Sequence, residues 1–150
     1  MLNLSEELFL GKGTHKKCYL HPEDSSKCIK MAYTYEGEDD LQRELRYLKV
    51  LRRKGKNYSV LPRYYGAVAT NLGEGHVYEY LVNFDGSKCR TLEDFLEDEQ
   101  MLSEHFELLV AKLRQLKTDL LNNEIITMGL FPENIIVQAG GDERYIAKSN

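Results

Sequence analysis

A lysine sits in the middle of a short run that otherwise reads as a buried strand, Cys28-Ile29-Lys30-Met31-Ala32. In an extended segment alternate side chains share a face, so Cys28, Lys30 and Ala32 point one way and Ile29, Met31 and Tyr33 the other. A lysine among small, fairly apolar neighbours needs an anion or a path to water. Snorkelling from an edge strand is the ordinary alternative. The segment that follows offers a partner. Leu41, Glu44, Leu48 and Leu51 recur at helical spacing, which puts a carboxylate inside an apolar stripe. At ~4 Å and an effective dielectric of ~20, a Lys30–Glu44 pair gains about 4 kcal/mol of Coulomb attraction before desolvation is subtracted. The competing arrangement leaves Glu44 at the margin of the stripe, in water or paired with Arg43 or Lys49.

The rest of the chain supplies elements around this pair. Leu8-Phe9-Leu10 and Cys18-Tyr19-Leu20 read as strands joined by the glycine-containing turn Gly11-Lys12-Gly13-Thr14, and Lys27 to Tyr33 as a third strand. The acidic run Glu36 to Asp40 precedes a helix that stops near Arg53, where Arg52-Arg53-Lys54 and Gly55 suit a helix C-terminus. A strand from Leu61 to Thr70, a loop from Asn71 to Gly75 and a strand from His76 to Val82 form a hairpin. Asn83 to Arg90 is a linker. Thr91, with Asp94 in the reciprocal position, caps a short helix. Ser103 opens a long helix with the stripe Phe106, Leu109, Val110, Leu113, Leu116, Leu120 and Leu121. Ile135-Ile136-Val137 and Arg144 to Ala147 close as a hairpin over Gly140-Gly141-Asp142. Five strands with one inserted helix, a linker, then helices, give an α+β chain in two lobes.

Composition excludes several classes. The net charge of −4 argues against a nucleic-acid surface. The three cysteines, Cys18, Cys28 and Cys89, are odd in number and widely spaced, so free thiols in a reducing cytoplasm are expected rather than a disulfide or zinc framework. No apolar run approaches the ~18 residues of a membrane span. The histidines show no metal-ligand spacing. Gly11-x-Gly13 taken alone is a weak signal, since an ordinary hairpin turn reads the same way. With Lys30 and Glu44 it gains meaning, because such glycines let backbone N–H groups approach phosphates.

Gly11-Lys12-Gly13, Lys30 and Glu44 together resemble a protein-kinase N-lobe: glycine loop, phosphate-orienting lysine and helix glutamate. Val77-Tyr78-Glu79-Tyr80-Leu81 resembles the strand entering a kinase hinge, and Pro132-Glu133-Asn134-Ile135-Ile136-Val137 the end of a catalytic loop. More closely, the chain is similar to the bacterial PhoP regulatory network protein YrbL family. The stretches that carry this are Gly13 to Tyr19, His21 to Asp24, Arg43 to Tyr47, Pro62 to Gly66, Phe84-Asp85-Gly86 and Ile126-Thr127-Met128. The resemblance implies a kinase-like fold: a five-stranded antiparallel N-lobe sheet with one helix over residues 1–82, a hinge over 83–90, and a partial, mainly helical C-lobe over 91–150. It implies an ATP site contacted by Gly11, Lys12, Gly13, Cys18, Cys28, Lys30, Tyr78, Glu79 and Leu81, with Glu44 holding Lys30 and Asn134 contributing to a magnesium site.

The departures from the kinase pattern matter as much. The catalytic aspartate position is Gly129, the usual histidine and arginine positions are Thr127 and Met128, and the loop lysine position is Phe131. Loss of a general base removes about 10²–10⁴ in rate, or roughly 3–5 kcal/mol of transition-state stabilisation. Lys16 replaces the third loop glycine, where it could crowd phosphates or contact them. Ser149 and Asn150 stand near where the next metal-holding aspartate would fall, which leaves Asn134 as the one matched magnesium ligand. The expectation is an ATP-binding, catalytically impaired regulatory domain. The alternatives are a phosphotransferase using Glu133 or water as base, on a protein or small molecule, and a non-enzymatic interaction domain.

Overall fold

The computed structural model describes residues 1–127, 129–139 and 144–147. Met128, the Gly140–Asp142 turn and the Ser149–Asn150 end lie outside them. The chain divides into two compact units: Met1–Val50 with Arg63–Leu81, and Leu51–Pro62 with Val82–Asn150.

The first unit is built on a five-stranded antiparallel sheet of β1 (Phe9–Lys12), β2 (Lys16–Leu20), β3 (Lys27–Ala32), β4 (Tyr64–Thr70) and β5 (Gly73–Glu79), in the order β1-β2-β3-β5-β4. Side-chain alternation gives it two faces, each carrying an apolar cluster. Leu4, Tyr19, Ile29, Met31 and Val77 cluster on one, packed by Leu2, Leu8 and Val68. Cys28 and Tyr78 lie on the other with Leu41, Leu45 and Leu48 of helix α1 (Tyr35–Arg53). Asn71 fastens the N-terminal segment to the sheet: its side chain accepts the Leu4 N–H at 2.7 Å and donates to the Leu4 carbonyl at 3.1 Å.

Helix α1 begins at Tyr35, so the acidic run expected ahead of the helix is its first turn. Glu36 and Glu38 stand there at the positive end of the helix dipole. Thr34 caps it, its hydroxyl accepting the Gly37 N–H at 3.1 Å. Gly37 lies within this helix at a point where only glycine fits: a Cβ would stand 2.5 Å from the His15 carbonyl oxygen. The His15 ring bonds the Thr34 hydroxyl at 3.0 Å, and its carbonyl accepts the Tyr33 N–H at 3.1 Å. The helix ends as its sequence implies: Gly55 adopts φ +64°, and the Gly55 and Lys56 N–H groups bond the Arg52 and Leu51 carbonyls.

Other boundaries shift for local reasons. β4 starts at Tyr64, because Val60-Leu61-Pro62 forms a buried turn in which Leu61 N–H bonds Tyr58 O at 2.9 Å, and Pro62 has no N–H to offer a ladder. β5 starts at Gly73 rather than His76, leaving a two-residue loop after Thr70. Gly75 belongs to the strand, since a Cβ there would meet Ile29 Cγ2 at 2.5 Å.

In the second unit, the Thr91–Asp94 capping box opens α2 (Leu92–Glu97). α3 (Glu99–Asn122) starts four residues before the expected Ser103, because the Asp98 carboxylate accepts the Met101 N–H. Of its expected stripe, Leu109, Leu116 and Leu120 are buried, whereas Phe106 and Leu121 are exposed. β6 (Arg90–Thr91), at the end of the expected linker, pairs with β7 (Ile135–Gln138), which pairs with β8 (Arg144–Ala147).

Gly37→Ala separates intrinsic propensity from packing. Alanine favours a helix by about 1 kcal/mol over glycine, but the clash with the His15 carbonyl costs more, in the 1–3 kcal/mol range of overpacking. Urea denaturation should show a net loss of about 1 kcal/mol; a variant as stable as the parent would mean that the β1–β2 turn is not docked on α1.

Candidate functional site

Of the expected site residues of the first unit, Cys18, Cys28, Lys30 and Tyr78 share the sheet face beneath α1, whereas Lys12 and Glu79 alternate to the other side. The antiparallel register sets Cys18 opposite Lys30, Lys30 opposite His76, Cys28 opposite Tyr78 and Lys16 opposite Ala32. Lys16, Cys18, Cys28, Lys30, His76 and Tyr78 therefore share one face. This face is unusually polar for a helix–sheet interface, which is the main chemical fact about the unit.

Lys30 is buried, with 5% of its surface exposed, and its ammonium lies 4.7 Å from the centroid of the Tyr78 ring. The tyrosine face supplies part of the negative potential that a buried cation requires. Glu44 projects from α1 into this region, and its Oε2 stands 3.8 Å from Lys16 Nζ. Lys16, expected from sequence to crowd or contact phosphates at the third glycine position of the loop, is thus an ion-pair partner of Glu44. The missed signal was the two-residue spacing from Lys16 to Cys18, which puts both on the Lys30 face once β2 starts at Lys16. Burial lowers the Lys16 pKa from its ordinary value of 10.5; Glu44 opposes the shift and neighbouring Lys30 adds to it. Burial first, and then the Glu44 carboxylate, raise the Tyr78 phenol far above its usual range. Tyr64 packs at a tilt against Tyr78, 5.2 Å between ring centroids, and its hydroxyl bonds His76 Nδ1 at 3.1 Å.

The glycine turn is held from below. Gly13 N–H bonds the Lys16 carbonyl at 2.8 Å, and the Tyr33 hydroxyl donates to the carbonyls of Gly13 (2.8 Å) and Thr14. Lys12 stands 4.5 Å over the Tyr33 ring. Gly11 lies in β1 with open space where a side chain would be.

Cys28 is buried between Leu41 and Tyr78, its thiol 3.8 Å from the Glu79 carbonyl oxygen, whereas Cys18 is half-buried. Glu79, at the end of β5, accepts the Arg63 N–H at 3.2 Å, and Leu81 is buried. Cys89 belongs to the second unit, where burial and then Asp85 raise its thiol pKa.

Asn134 also belongs to the second unit. It is 3% exposed; its Nδ2 donates to the Gly129 carbonyl at 2.9 Å, and its Oδ1 has no hydrogen-bond partner among the described residues. A Cβ at Gly129 would stand 3.3 Å from that Nδ2, so a longer side chain there would press on the amide. Glu133 is exposed. Among the described residues no three His, Cys, Asp or Glu side chains cluster as a metal site, and no helix is long and apolar enough to cross a membrane.

The molecule is thus an α+β protein whose five-stranded antiparallel sheet carries a buried, lysine-rich face under a single helix. The chain belongs to the PhoP regulatory network protein YrbL family, whose model matches residues 2–148. It is 44% identical over 138 residues to the uncharacterized protein YrbL of Escherichia coli K12, and equally to that of Shigella flexneri. The match covers 91% of this chain and 65% of each of those proteins, so the chain spans about two-thirds of their length.

The Lys16 environment sets a pH dependence. The folded chain holds this proton less tightly than the unfolded chain, so the unfolded state carries more protons between the lowered pKa and 10.5. Stability therefore rises with pH across that window. Relative to Lys16→Met, the parent protein should gain stability in denaturant titrations run from pH 7 towards pH 10.5. A difference that stays flat or falls would show that Lys16 is solvated.

Proposed function

We propose that the chain binds a nucleotide, ATP or ADP, through the lysine-bearing face of its first unit, and that this binding is regulatory rather than catalytic. The observation that carries the reading is Lys30: a lysine 5% exposed, on the sheet face that also holds Lys16, Cys18 and Cys28, downstream of a glycine turn. In this reading Lys30 orients the phosphates, Glu44 steadies the lysines, and the turn Gly11-Lys12-Gly13 covers the phosphates with backbone N–H groups. Cys18, Cys28, Tyr78, Glu79 and Leu81 border the base. The kinase-like resemblance of these segments supports the same assignment, and the family description supports a regulatory role.

Impairment follows from the second unit. Gly129 has no side chain to accept a proton, and the Asn134 amide is committed to the Gly129 backbone through its Nδ2. Asn134 Oδ1 is the atom through which magnesium would be met, but one neutral amide is a poor match for an ion that prefers carboxylates and phosphate oxygens. Phosphoryl transfer would need a substitute base such as Glu133. A second reading, a non-enzymatic interaction domain, draws on the exposed Leu121, Ile126, Leu130 and Phe131 of the second unit.

Nucleotide binding to the native state alone raises stability by mass action, by about 2.7 kcal/mol at a hundredfold excess over Kd. ATP or ADP should therefore raise the melting temperature and slow alkylation of Cys18 while sparing Cys89, with little phosphate transferred from labelled ATP. No thermal shift at millimolar nucleotide, with or without magnesium, would leave the interaction domain ahead; robust transfer abolished by Lys30→Ala would make the chain an enzyme.

A further inference from the structure

The β1–β2 hairpin sets two lysines against each other on the face of the sheet away from α1. Gly13 N–H bonds the Lys16 carbonyl at 2.8 Å, so Gly13 and Lys16 are the hydrogen-bonded pair next to the turn. Ladder alternation then makes Lys12 and Lys17, the next partners in register, a non-hydrogen-bonded pair. Side chains of such pairs stand close, with Cβ atoms about 4.5–5.5 Å apart, and like charges placed there repel. Both ammonium groups lie over one ring: Lys12 Nζ is 4.5 Å and Lys17 Nζ 6.0 Å from the Tyr33 centroid. The Tyr33 hydroxyl donates to the Gly13 and Thr14 carbonyls, which fixes the ring as their shared platform. Neither Lys12 nor Lys17 forms an ion pair among the described residues.

The same pair lies at the rim of the sheet. β1 is an edge strand, paired with β2 alone. Because Lys12 belongs to a non-hydrogen-bonded pair, its N–H and C=O point away from β2. No backbone bond from elsewhere reaches them among the described residues. An edge lysine ordinarily keeps other strands off by its charge. That barrier is selective, since it falls for a strand that brings carboxylates. On a chain of net charge −4, two ammonium groups over one ring are a local reversal of sign. Such a reversal steers an anionic partner to the spot.

We propose that the Lys12–Lys17 edge docks an acidic, extended segment of a partner protein. The segment adds beside β1, exchanging backbone hydrogen bonds with Lys12 and setting a carboxylate against its ammonium, with Lys17 supplying the second charge. Backbone bonds of this kind require a polypeptide, which separates this occupant from a lipid surface or a nucleic acid offering phosphates alone. The proposal goes beyond the nucleotide reading and does not need it. Because that reading assigns the glycine turn to phosphates, a docked strand and a nucleotide would compete there, and the test uses peptide without nucleotide.

Fluorescence anisotropy at fixed, low ionic strength, with a labelled hexapeptide of alternating glutamate and threonine and its glutamine counterpart, tests this. The glutamate peptide should bind, and the glutamine peptide at least tenfold more weakly. Lys17→Glu should weaken the glutamate peptide at least tenfold, whereas Lys17→Arg, which keeps the charge, should retain it. Lys17→Glu replaces a cross-strand repulsion with an attraction, so its melting temperature should not fall. In the parent protein, saturating peptide should slow hydrogen exchange of the Lys12 amide, which loose charge attraction would not do and which is independent of how any variant folds. Equal binding by parent and Lys17→Glu, an unprotected Lys12 amide at saturation, or no binding by the parent overturns the proposal. Lys17-dependent binding of phosphatidylserine vesicles or of a single-stranded oligonucleotide, with none of the peptide, overturns it in favour of phosphate recognition.

Discussion

A carboxylate set into the apolar seam between one helix and a sheet governs how the first unit is arranged. Glu44 lies among Leu41, Leu45 and Leu48, the residues that press α1 onto Cys28 and Tyr78. An ionised group there is tolerated only if the opposing surface supplies positive charge and donors. The sheet does so with Lys16 from β2 and Lys30 from β3, and Tyr78 lends its ring to one of them and its buried phenol to the neighbourhood of the carboxylate. Helix position, strand register and lysine placement are therefore one problem with a shared solution. A register slip of one residue would carry both lysines to the opposite face, among Ile29, Met31 and Val77, and leave Glu44 facing apolar side chains.

The same unit depends on close approach at the helix start. Tyr33, Thr34 and Gly37 grip the β1–β2 turn through backbone, hydroxyl and the absence of a Cβ, so the turn that introduces Lys16 is fixed to the helix that introduces Glu44. The two ends of the ion pair are thereby positioned by the same few residues.

Much of this was legible in the sequence, and what was not has identifiable causes. The strand positions and the lysine and glutamate faces follow from period-two and helical spacing, which local sequence carries; the β3–β5 pairing does not. Residues whose role depends on a distant partner were harder. Gly37 falls in the acidic run expected ahead of the helix, yet it lies within α1, where His15, twenty-two positions earlier, leaves no room for a side chain. Gly75 reads as loop, yet it sits within β5 because Ile29 fills the space beside it. Lys16 reads as part of a phosphate loop, since nothing near it announces that β2 begins there. Asn71 passes as a turn residue, although its side chain ties down Leu4 across sixty-seven positions. In each case the sequence states what the residue can do, and tertiary contact selects which possibility is used.

The division of the chain bears on how it is made. The first unit is interrupted by Leu51–Pro62, which belongs to the second, and its sheet is completed only by β4 and β5. Leu2 pairs with Thr70 at the far edge, so residues near the start of that unit wait for some of its last. Closing a span of that length carries an entropic cost of about 4 kcal/mol, and contacts so distant in sequence slow folding. Until Glu79 has left the ribosome, β3 presents an unpaired edge that β5 later takes. A nascent chain in that interval is a natural client for whatever holds unfinished sheets apart, and a ribosome stall between Val50 and Arg63 would leave it there.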